Sequence, residues 1–190
     1  MARPSLREQI VEAGTEVFHC VGFYGCSVED ITKAARVPKG SFYNHFKSKE
    51  DLLVEALDRY AQAGPHALLA DQTVAPMKRL RKYFDALAAD FIAFDHTRGC
   101  MIGNAAAELA DHNEAIRAKT RSLFTGWADQ VAEVIRDGQA AGEIAATQDA
   151  RLLAGFLLSA WEGTLLRVRG TGDARLLKEF QRIAFGVLLA

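Results

Sequence analysis

Apolar residues recur every three to four positions along most of the chain, and no stretch shows the strict alternation that marks a half-buried strand. The first such run places Leu6, Ile10, Ala13, Val17 and Val21 on one face, with polar residues between them. Proline is rare, with four among 190 residues, so few positions interrupt a helical backbone. The pattern predicts an all-α fold of about nine helices.

Helix start and stop signals divide the first fifty residues into three short helices followed by a longer one. Ser5 opens the first helix and Gly22 ends it. Ser27–Asp30 resembles a capping box, with an aspartate where Glu or Gln is usual. Arg36–Pro38 ends the second helix because the residue before a proline disfavours helical angles. Ser48–Asp51 resembles a second capping box, and it opens the longer helix.

The segment Val37–Lys49 combines core-type aromatic residues with cationic and hydroxyl side chains. Phe42 and Phe46 have the spacing of core residues, and the tight turn before them indicates a helix-turn-helix. The formal net charge of the chain is −1, so any positive surface must be local. Such a surface is indicated between Ile31 and Lys49, because this stretch has no acid and five bases: Lys33, Arg36, Lys39, Lys47 and Lys49. The alternative is a solvated basic loop that binds nothing.

Longer helices are predicted beyond residue 51. Their predicted bounds are Pro76 to about Asp95, about Glu114 to Ala141, 149–168 and 173–189. A further helix after Gly99 is expected to carry Met101, Ile102, Ala105, Ala106 and Leu109. The breaks between them are expected at Thr97–Gly99, at Gly142 and at Arg169–Gly172. The first of these helices should bury one face that includes Phe84 and Ile92. We therefore expect an N-terminal helix-turn-helix domain, 1–51, and a larger helical domain, 52–190.

Several function classes find no support in the sequence. No apolar run approaches the roughly 20 residues of a membrane-spanning helix, and the N-terminus lacks the features of a signal peptide. The three cysteines, Cys20, Cys26 and Cys100, form no CxxC motif, which argues against a disulfide framework or a structural zinc site. No zinc-protease motif, nucleophile elbow or phosphate-binding glycine loop is present. We expect a cytoplasmic protein that is not an enzyme, uses no cofactor or metal and contacts no membrane.

Residues 5–51 resemble the DNA-binding domain of the TetR family of transcriptional repressors. The resemblance rests on a gap-free signature that runs through Gly22-Phe23, Ser27–Ile31, Ala34-Ala35, Val37–Phe46 and Lys49–Leu52. It covers about a quarter of the chain. It implies that this part binds double-stranded operator DNA. The family's divergent C-terminal part is implied to hold a small-molecule effector and to form a homodimer.

The chemistry of the third helix and the resemblance together suggest how DNA is contacted. This helix is so short that its first turn must supply the base readout. Lys39 and Ser41 are best placed to reach base edges, and Gly40 allows the backbone to approach closely. Phosphate contacts are expected from Tyr43, His45, Lys49 and Ser27 with its helix N-terminus, with Lys33 and Lys47 as weaker candidates. Arg3 and Arg7 either reach a groove or form a solvated end.

The last two predicted helices carry more apolar surface than one side of a helix pair buries. We expect them to form a four-helix bundle across a two-fold axis. The predicted dimer interface comprises Phe156, Ala160, Trp161, Thr164, Phe180, Ala184, Val187 and Leu188. The alternative is that these faces all belong to the core of one protomer.

A sensing segment is indicated by Arg98–Asn104, which differs from its Ala- and Leu-rich surroundings. Cys100 follows a glycine break, so it is expected in the first turn of a helix, where the dipole and the nearby Arg98 favour a thiolate. The Gly99-Cys100 step and Glu108–Asp111 resemble the electrophile- and redox-responsive TetR repressors related to the N-ethylmaleimide-reductase and acrylate-responsive repressors. A partly exposed thiolate there would react with electrophiles or oxidants. The alternative is that Cys100 is a small buried apolar residue beside a ligand pocket.

Aromatic residues of the second half suit a pocket for a small, partly apolar ligand. The predicted ligand-binding or sensing residues are His96, Arg98, Cys100, Asn104, Phe91, Trp127 and Trp161. An aromatic stripe of this kind can equally be core.

The resulting hypothesis is a dimeric, ligand-responsive repressor that binds a palindromic operator. Release would follow from a small molecule or from thiol modification at Cys100. The alternatives are a helical DNA-binding protein without an effector, and a helical small-molecule carrier or enzyme.

Overall fold

The computed structural model describes residues 5–190, and every regular element in this range is helical. The prediction for Arg3 lies outside the described residues. The helices are α1 (Leu6–Val21), α2 (Val28–Ala34), α3 (Lys39–Tyr43), α4 (Lys49–Ala63), α5 (Ala67–Ala70), α6 (Pro76–Ala93), α7 (Met101–Leu109), α8 (Glu114–Ala140), α9 (Ala150–Thr171) and α10 (Arg175–Ile183), which continues as a π-helical segment (Ala184–Leu188). The all-α prediction is confirmed. The short α5 was not predicted, because four residues are too few to show a period.

The chain forms two compact units. The first unit contains the residues up to Ala63 together with Cys100–Leu123, and the second contains Gly64–Gly99 together with Phe124–Ala190. The predicted domain boundary after residue 51 falls inside α4, and it stays a prediction.

An apolar core holds the short helices of the first unit together. Ile10, Ile31, Phe42, Leu52 and Leu57 are fully buried. Burying a side chain of this size contributes about 1.5–3 kcal/mol. Helices as short as α2 and α3 would not persist alone, so their stability comes from this packing.

Side-chain caps determine where α2 and α4 begin. The Ser27 hydroxyl accepts from the Asp30 N–H at 3.2 Å, and the Asp30 carboxylate accepts from the Ser27 N–H at 2.8 Å, so the first predicted capping box is confirmed. At α4 the Ser48 hydroxyl accepts from the Asp51 N–H at 3.2 Å. The Asp51 carboxylate, however, accepts from the N–H of Lys47 at 3.2 Å. The second capping box is therefore half formed, because its carboxylate reaches one residue further back than predicted.

The turn between α2 and α3 has a left-handed residue. Arg36 has a φ of 55°, a conformation that costs a non-glycine residue about 1 kcal/mol. The N–H of the next residue, Val37, donates to the carbonyl of Thr32 at 3.0 Å and closes the turn. Pro38 then precedes α3, as the sequence predicted.

An aromatic cluster joins α6, α9 and α10 in the second unit. The Phe84 ring lies 5.7 Å from the Trp161 ring and 5.2 Å from the Phe180 ring, measured between centroids. The Phe185 ring lies 6.1 Å from Phe84. All four residues are buried, so this cluster is the centre of the unit's core.

A partly buried ion pair links three helices of the same unit. The guanidinium of Arg79, on α6, donates to the Asp137 carboxylate on α8 at 2.7 Å and to the Leu69 carbonyl of α5 at 3.1 Å. Arg79 is buried, whereas Asp137 is partly exposed. A buried charge requires such partners, so the pair holds α5 against the longer helices.

Two details of the second unit differ from the sequence predictions. Ile92, expected on the buried face of α6, is 50% exposed. The expected break at Arg169–Gly172 occurs only at its last residue, because α9 remains helical through Thr171. Gly172 ends the helix in the left-handed conformation, with φ 70°, and its N–H donates to the Val168 carbonyl.

Candidate nucleic-acid interface and effector region

The two faces of the α3 region differ sharply in exposure. Phe42 and Phe46 are buried, with ring centroids 5.6 Å apart, and they fix α3 on the core. Tyr43 and His45 lie on the exposed side. A Cβ added at Gly40 would meet nothing within 4 Å, so the backbone of the first turn is open to a large partner. This arrangement presents polar side chains on a rigid apolar base.

Lys39, at the start of α3, is exposed but paired. Its ammonium lies 3.3 Å from one carboxylate oxygen of Glu29, and the other oxygen lies 2.8 Å from the ammonium of Lys33. Glu29 lies just outside the acid-free stretch 31–49, so the predicted basic surface did not include it. The sequence signals the Glu29–Lys33 pair, since the two residues are four apart on one helix, but not the contact across the turn to Lys39. Ser41, between Lys39 and Tyr43, is partly exposed.

Ser27 is occupied by its own capping box. Its hydroxyl donates to the Asp30 carboxylate at 2.7 Å, and its backbone N–H donates to the same oxygen. These two donors hold the pKa of the Asp30 carboxyl below its usual 3.8. A carboxylate therefore stands where the predicted phosphate would bind.

Lys49 braces the turn between α1 and α2. Its ammonium donates to the carbonyl oxygens of Phe23 and Cys26, at 2.7 and 2.6 Å, and lies 4.0 Å from the centre of the Phe23 ring. Two of its three N–H donors are thus used inside the protein. The structure gives this residue an internal bonding role that the sequence analysis did not foresee.

Arg7 is also held within the first unit. Its guanidinium donates to the Glu55 carboxylate and lies 5.2 Å from the centre of the Phe46 ring. Lys47, which lies between α3 and α4, is exposed. The two expectations for Arg7, a groove contact and a solvated end, stay predictions, since the side chain is 48% exposed while it pairs with Glu55.

Glu108, on α7, binds the same α1–α2 turn from the other side. Its carboxylate accepts from the N–H of Tyr24 at 3.0 Å. A Cβ added at Gly22 would lie 2.6 Å from this carboxylate and would push its flexible side chain aside. The backbone itself favours glycine, because Gly22 has a φ of 77° with a ψ of 174°. Sequence reasoning noted Glu108 only as part of a resemblance. No local pattern signals a contact across 84 residues.

The predicted dimer residues divide into two groups. Trp161, Phe180 and Ala184 are buried in the core of the second unit itself, contrary to the prediction that they face a partner. Phe156 and Val187 are 59% and 66% exposed. Ala160, Thr164 and Leu188 are partly exposed. Sequence reasoning missed further exposed apolar residues in the same helices, namely Leu152, Leu166 and Ile183.

Cys100 differs from its predicted setting. It is the N-cap residue of α7, with extended backbone angles, rather than a residue of the first turn. Its side chain is 6% exposed, which contradicts the expected partly exposed thiolate and matches the alternative of a small buried residue. The Asn104 N–H donates to the Cys100 carbonyl at 2.9 Å.

The remaining predicted effector residues lie in the second unit. His96 has a left-handed φ of 60°, and its ring packs edge-on against Phe91 at 5.2 Å. Arg98 lies over the Phe94 ring at 3.8 Å. The Nε2 atom of His96 and the indole N–H of Trp127 are buried, and neither has a hydrogen-bond partner among the described residues. Trp161, predicted for both the pocket and the interface, belongs to the aromatic core.

The three thiols differ in exposure. Cys20 is exposed, whereas Cys26 and Cys100 are buried. Burial raises the pKa of the Cys26 thiol, and the nearby Lys49 offsets this only in part. Across residues 5–190 no group of three His, Cys, Asp or Glu side chains is arranged to hold a metal ion. No helix in that range has both the length and the apolar character needed to cross a bilayer.

Comparison with known proteins identifies related chains along the whole length. The family model for bacterial regulatory proteins of the tetR family matches residues 10–56. The model for the tetracyclin repressor-like C-terminal domain matches residues 76–184. The HTH-type transcriptional repressor DhaR of Mycobacterium sp. strain GP1 is 37% identical, with 100% of this chain and 95% of that protein covered. The transcriptional regulator AcuR of Cereibacter sphaeroides is 33% identical, with 85% of this chain and 75% of that protein covered.

Solved structures show the same architecture. A regulatory protein TetR from Rhodobacter sphaeroides superposes with a TM-score of 0.88 and 31% identity, covering 98% of this chain and 100% of that one. The reduced form of NemR from E. coli has a TM-score of 0.87 and covers 97% of each chain, but at 24% identity it bears on the fold alone. The helix-turn-helix, the two family matches and the full-length relatives agree, and the chain belongs to the TetR family of DNA-binding transcriptional regulators.

Proposed function

We propose that the protein is a cytoplasmic, homodimeric repressor that binds a two-fold-symmetric operator through α3 and releases it when an effector binds. The observation that carries this proposal is the α3 surface, where exposed polar side chains stand on buried Phe42 and Phe46. The relative DhaR is itself named a transcriptional repressor. The proposed domains are 1–51 for DNA and 52–190 for effector binding and dimerisation.

The proposed DNA contacts of individual residues follow from the position of each side chain and from the hydrogen-bond donor that it carries. Lys39 and Ser41, in the first turn, are proposed to contact base edges, where a lysine suits guanine acceptors. Tyr43 and His45 are proposed to contact phosphates, because a hydroxyl and an imidazole on the exposed side can donate to phosphate oxygens. Lys49 retains one donor for a phosphate, so its contribution there should be smaller than first expected.

Selection of bound duplexes from a random library, followed by fluorescence anisotropy at several salt concentrations, tests this function. Tyr43→Phe removes a hydroxyl donor while keeping the ring that packs against Phe42 at 5.2 Å. We expect about a tenfold loss of affinity, the value of one charge-assisted hydrogen bond. Tyr24→Phe is a matched control, because Tyr24 is comparably exposed (69% against 60% for Tyr43) but lies outside α3. A wild-type chain that selects no sequence would contradict the proposal.

The exposed apolar side chains of the last helices support the homodimer. Leu152, Phe156 and Leu166 lie within an arc of about 80° on α9, because a helix advances about 100° per residue. Ile183 and Val187 add exposed apolar surface at the end of the chain. Several large exposed apolar residues on one side of a helix are typical of an interaction surface. A two-fold operator requires two reading heads, which sit about 34–36 Å apart on DNA.

Analytical ultracentrifugation tests the dimer. Phe156→Glu should produce monomers at micromolar concentration, because a carboxylate would be buried without a partner. Ile92→Glu is the control, since Ile92 is a comparably exposed residue on α6. Equal effects of the two substitutions would assign the dimer to another surface.

Two unpartnered buried nitrogens support an effector site in the second unit. Leaving a buried donor unbonded costs about 1–3 kcal/mol. A ligand with a carbonyl or carboxylate oxygen that bonded the Trp127 N–H or the His96 ring would recover this energy. Phe91, beside His96, would provide an apolar wall.

Thermal-shift screening of small acids, aldehydes and quinones tests the site, and Trp127→Phe should reduce the shift. A chain that no such compound stabilises or releases would be a DNA-binding protein without an effector of this kind.

The thiol switch is proposed as a second route of release. Because Cys100 is buried, modification requires α7 to open at its N-terminus. Treatment with N-ethylmaleimide should first modify Cys20, which is exposed. DNA release that survives in Cys20→Ser and disappears in Cys100→Ser would support the switch. Release that persists in Cys100→Ser would exclude it.

A further inference from the structure

Glu29 joins the two lysines nearest the start of α3 in one ion-pair group. One of its carboxylate oxygens binds Lys33 within α2, and the other binds Lys39 across the turn. We call these three residues the Glu29 group. Its members are all solvent-accessible, with side chains 48%, 71% and 59% exposed for Glu29, Lys33 and Lys39. The group is therefore a feature of the surface proposed to meet DNA.

Stability does not account for this group. Ion pairs between exposed side chains contribute about 0–1 kcal/mol, because water solvates the separated charges almost as well. Hydrogen bonds from Lys33, then from Lys39, hold the pKa of the Glu29 carboxyl below its usual 4.5, so Glu29 is charged at neutral pH. Its charge cancels part of the local positive charge in the free protein.

The approach of DNA changes the energy of this group. A phosphate near Lys33 or Lys39 competes with Glu29 for the same ammonium, and it also repels the carboxylate. Binding through phosphates alone is therefore weakened. A carboxylate in the major groove becomes favourable only where a base offers a donor, and the amino group at cytosine N4 is such a donor.

The short distance between Lys39 and Glu29 determines which base edges the two side chains can contact together. The ammonium of Lys39 and the carboxylate of Glu29 are 3.3 Å apart, so both can reach the edge of one base pair. A G·C pair presents guanine O6 and N7 as acceptors beside cytosine N4 as a donor. A lysine next to a glutamate matches this order of acceptor and donor.

We infer that Glu29 is a specificity-determining residue: it weakens sequence-independent binding and, with Lys39, reads a G·C base pair by accepting a hydrogen bond from cytosine N4. This inference rests on the proposed role of α3 in base readout. It adds a residue of α2 to the reading surface.

Three variants of the full chain test the inference: Glu29→Gln, Glu29→Ala and Glu12→Gln. Glu12 is an exposed acid of α1, so its substitution removes one negative charge from the same unit without touching the Glu29 group. Affinity for a duplex of unrelated sequence should rise about three- to tenfold in both Glu29 variants, and less than about twofold in the control. The slope of log affinity against log salt should steepen by about one in the Glu29 variants, because a freed lysine contacts one more phosphate.

Selection from a random duplex library provides the second readout. Wild-type protein should select a G·C pair at one position in each half-site, and Glu29→Ala should lose that preference alone. Melting temperatures of the three variants should remain within a few degrees of the wild type, which separates readout from folding.

The outcomes separate this inference from the proposed function. If the wild type selects no sequence, the repressor proposal itself fails. If the wild type selects a site but Glu29→Ala keeps every base preference, or if Glu12→Gln raises non-specific affinity as much as Glu29→Gln, the role of Glu29 is overturned.

Discussion

The helix-turn-helix and the second unit satisfy their polar groups in different ways. In the first unit every buried side-chain nitrogen or oxygen among the described residues has a hydrogen-bond partner. In the second unit the Trp127 N–H, the His96 Nε2 and the Arg79 Nε are buried without one. The second unit also exposes large apolar residues on α9, such as Phe156 and Leu166. The two units thus differ in that only the second leaves buried side-chain donors or acceptors without a partner among the described residues.

The largest effects are expected when one phenylalanine in each unit is replaced by alanine. Phe42→Ala should lower the free energy of unfolding by about 3–5 kcal/mol, because it leaves a cavity in a small core. Phe156→Ala should cost much less in a dilute sample and more in a concentrated one, because the proposed homodimer places a second chain against Phe156. Urea unfolding at two protein concentrations measures both. A concentration-dependent effect at Phe42 would contradict the contrast.

Breaking one ion pair in each unit should give a smaller difference in the free energy of unfolding. Arg79→Met should cost about 2–3 kcal/mol, less than the loss of a fully buried pair, because Asp137 is partly exposed. Lys119→Met breaks a pair with Asp58 in the first unit at 2.7 Å, and it should cost about 1 kcal/mol or less, because both side chains reach solvent. Thermal unfolding of the two variants measures the ranking. Equal losses would show that burial of Arg79 does not matter.

A substitution at Lys49 tests whether this residue mainly stabilises the α1–α2 turn or mainly contacts a DNA phosphate. Lys49→Met should lower the free energy of unfolding by about 1–2 kcal/mol, because the carbonyls of Phe23 and Cys26 lose their donor. The salt dependence of DNA binding should remain nearly unchanged. A shallower salt slope with unchanged stability would instead identify a phosphate contact.

The two tryptophans of the second unit test the unpartnered nitrogen. Trp127→Phe and Trp161→Phe remove the same atoms from buried positions. Trp127→Phe should cost at least about 1 kcal/mol less, because it also removes a buried N–H without a partner. Chemical denaturation compares them directly. Equal costs would mean that water already bonds the Trp127 indole.

The smallest expected effect is the acid response of two capping carboxylates, one in each unit. Hydrogen bonds from Ser27 lower the pKa of Asp30 below 3.8, and those from Arg175 lower that of Asp173 to about 2. A lowered pKa means that each contribution to stability is present above pH 3.8 and is lost as the pH falls through the folded-state value. Carboxyl titration by NMR measures both values. In the Asp30→Asn variant, acidification should cause a smaller loss of helicity in α2, because residue 30 no longer takes up a proton.

Local signals made the first fifty residues predictable. The Ser27–Asp30 box, Pro38 and the Phe42–Phe46 spacing each act within a few residues, so periodicity and capping rules suffice to place α2 and α3. The exposed side of α3, which is proposed to contact DNA, follows from the same spacing, because the core side is apolar.

Contacts between distant residues were not predictable in this way. The bonds of Lys49 to Phe23 and Cys26, and of Glu108 to Tyr24, depend on tertiary placement. In α9 the apolar residues cover more than one face, and the sequence alone does not tell which face is core. Trp161 therefore faced inward against expectation, while Phe156 remained exposed. Cys100 lies at the N-cap rather than in the first turn, and it is buried, because tertiary packing rather than local sequence determines its exposure.

Gly22 has a consequence for how this sequence can change over evolutionary time. Its φ of 77° combined with a ψ of 174° lies outside the left-handed helical region that asparagine tolerates, in a region open essentially to glycine alone. The Glu108 carboxylate adds a weaker constraint, because the end of a flexible side chain can move away from an added Cβ. Among related repressors, glycine should therefore persist at this position even where residue 108 is no longer a glutamate, and an alignment of those sequences checks this.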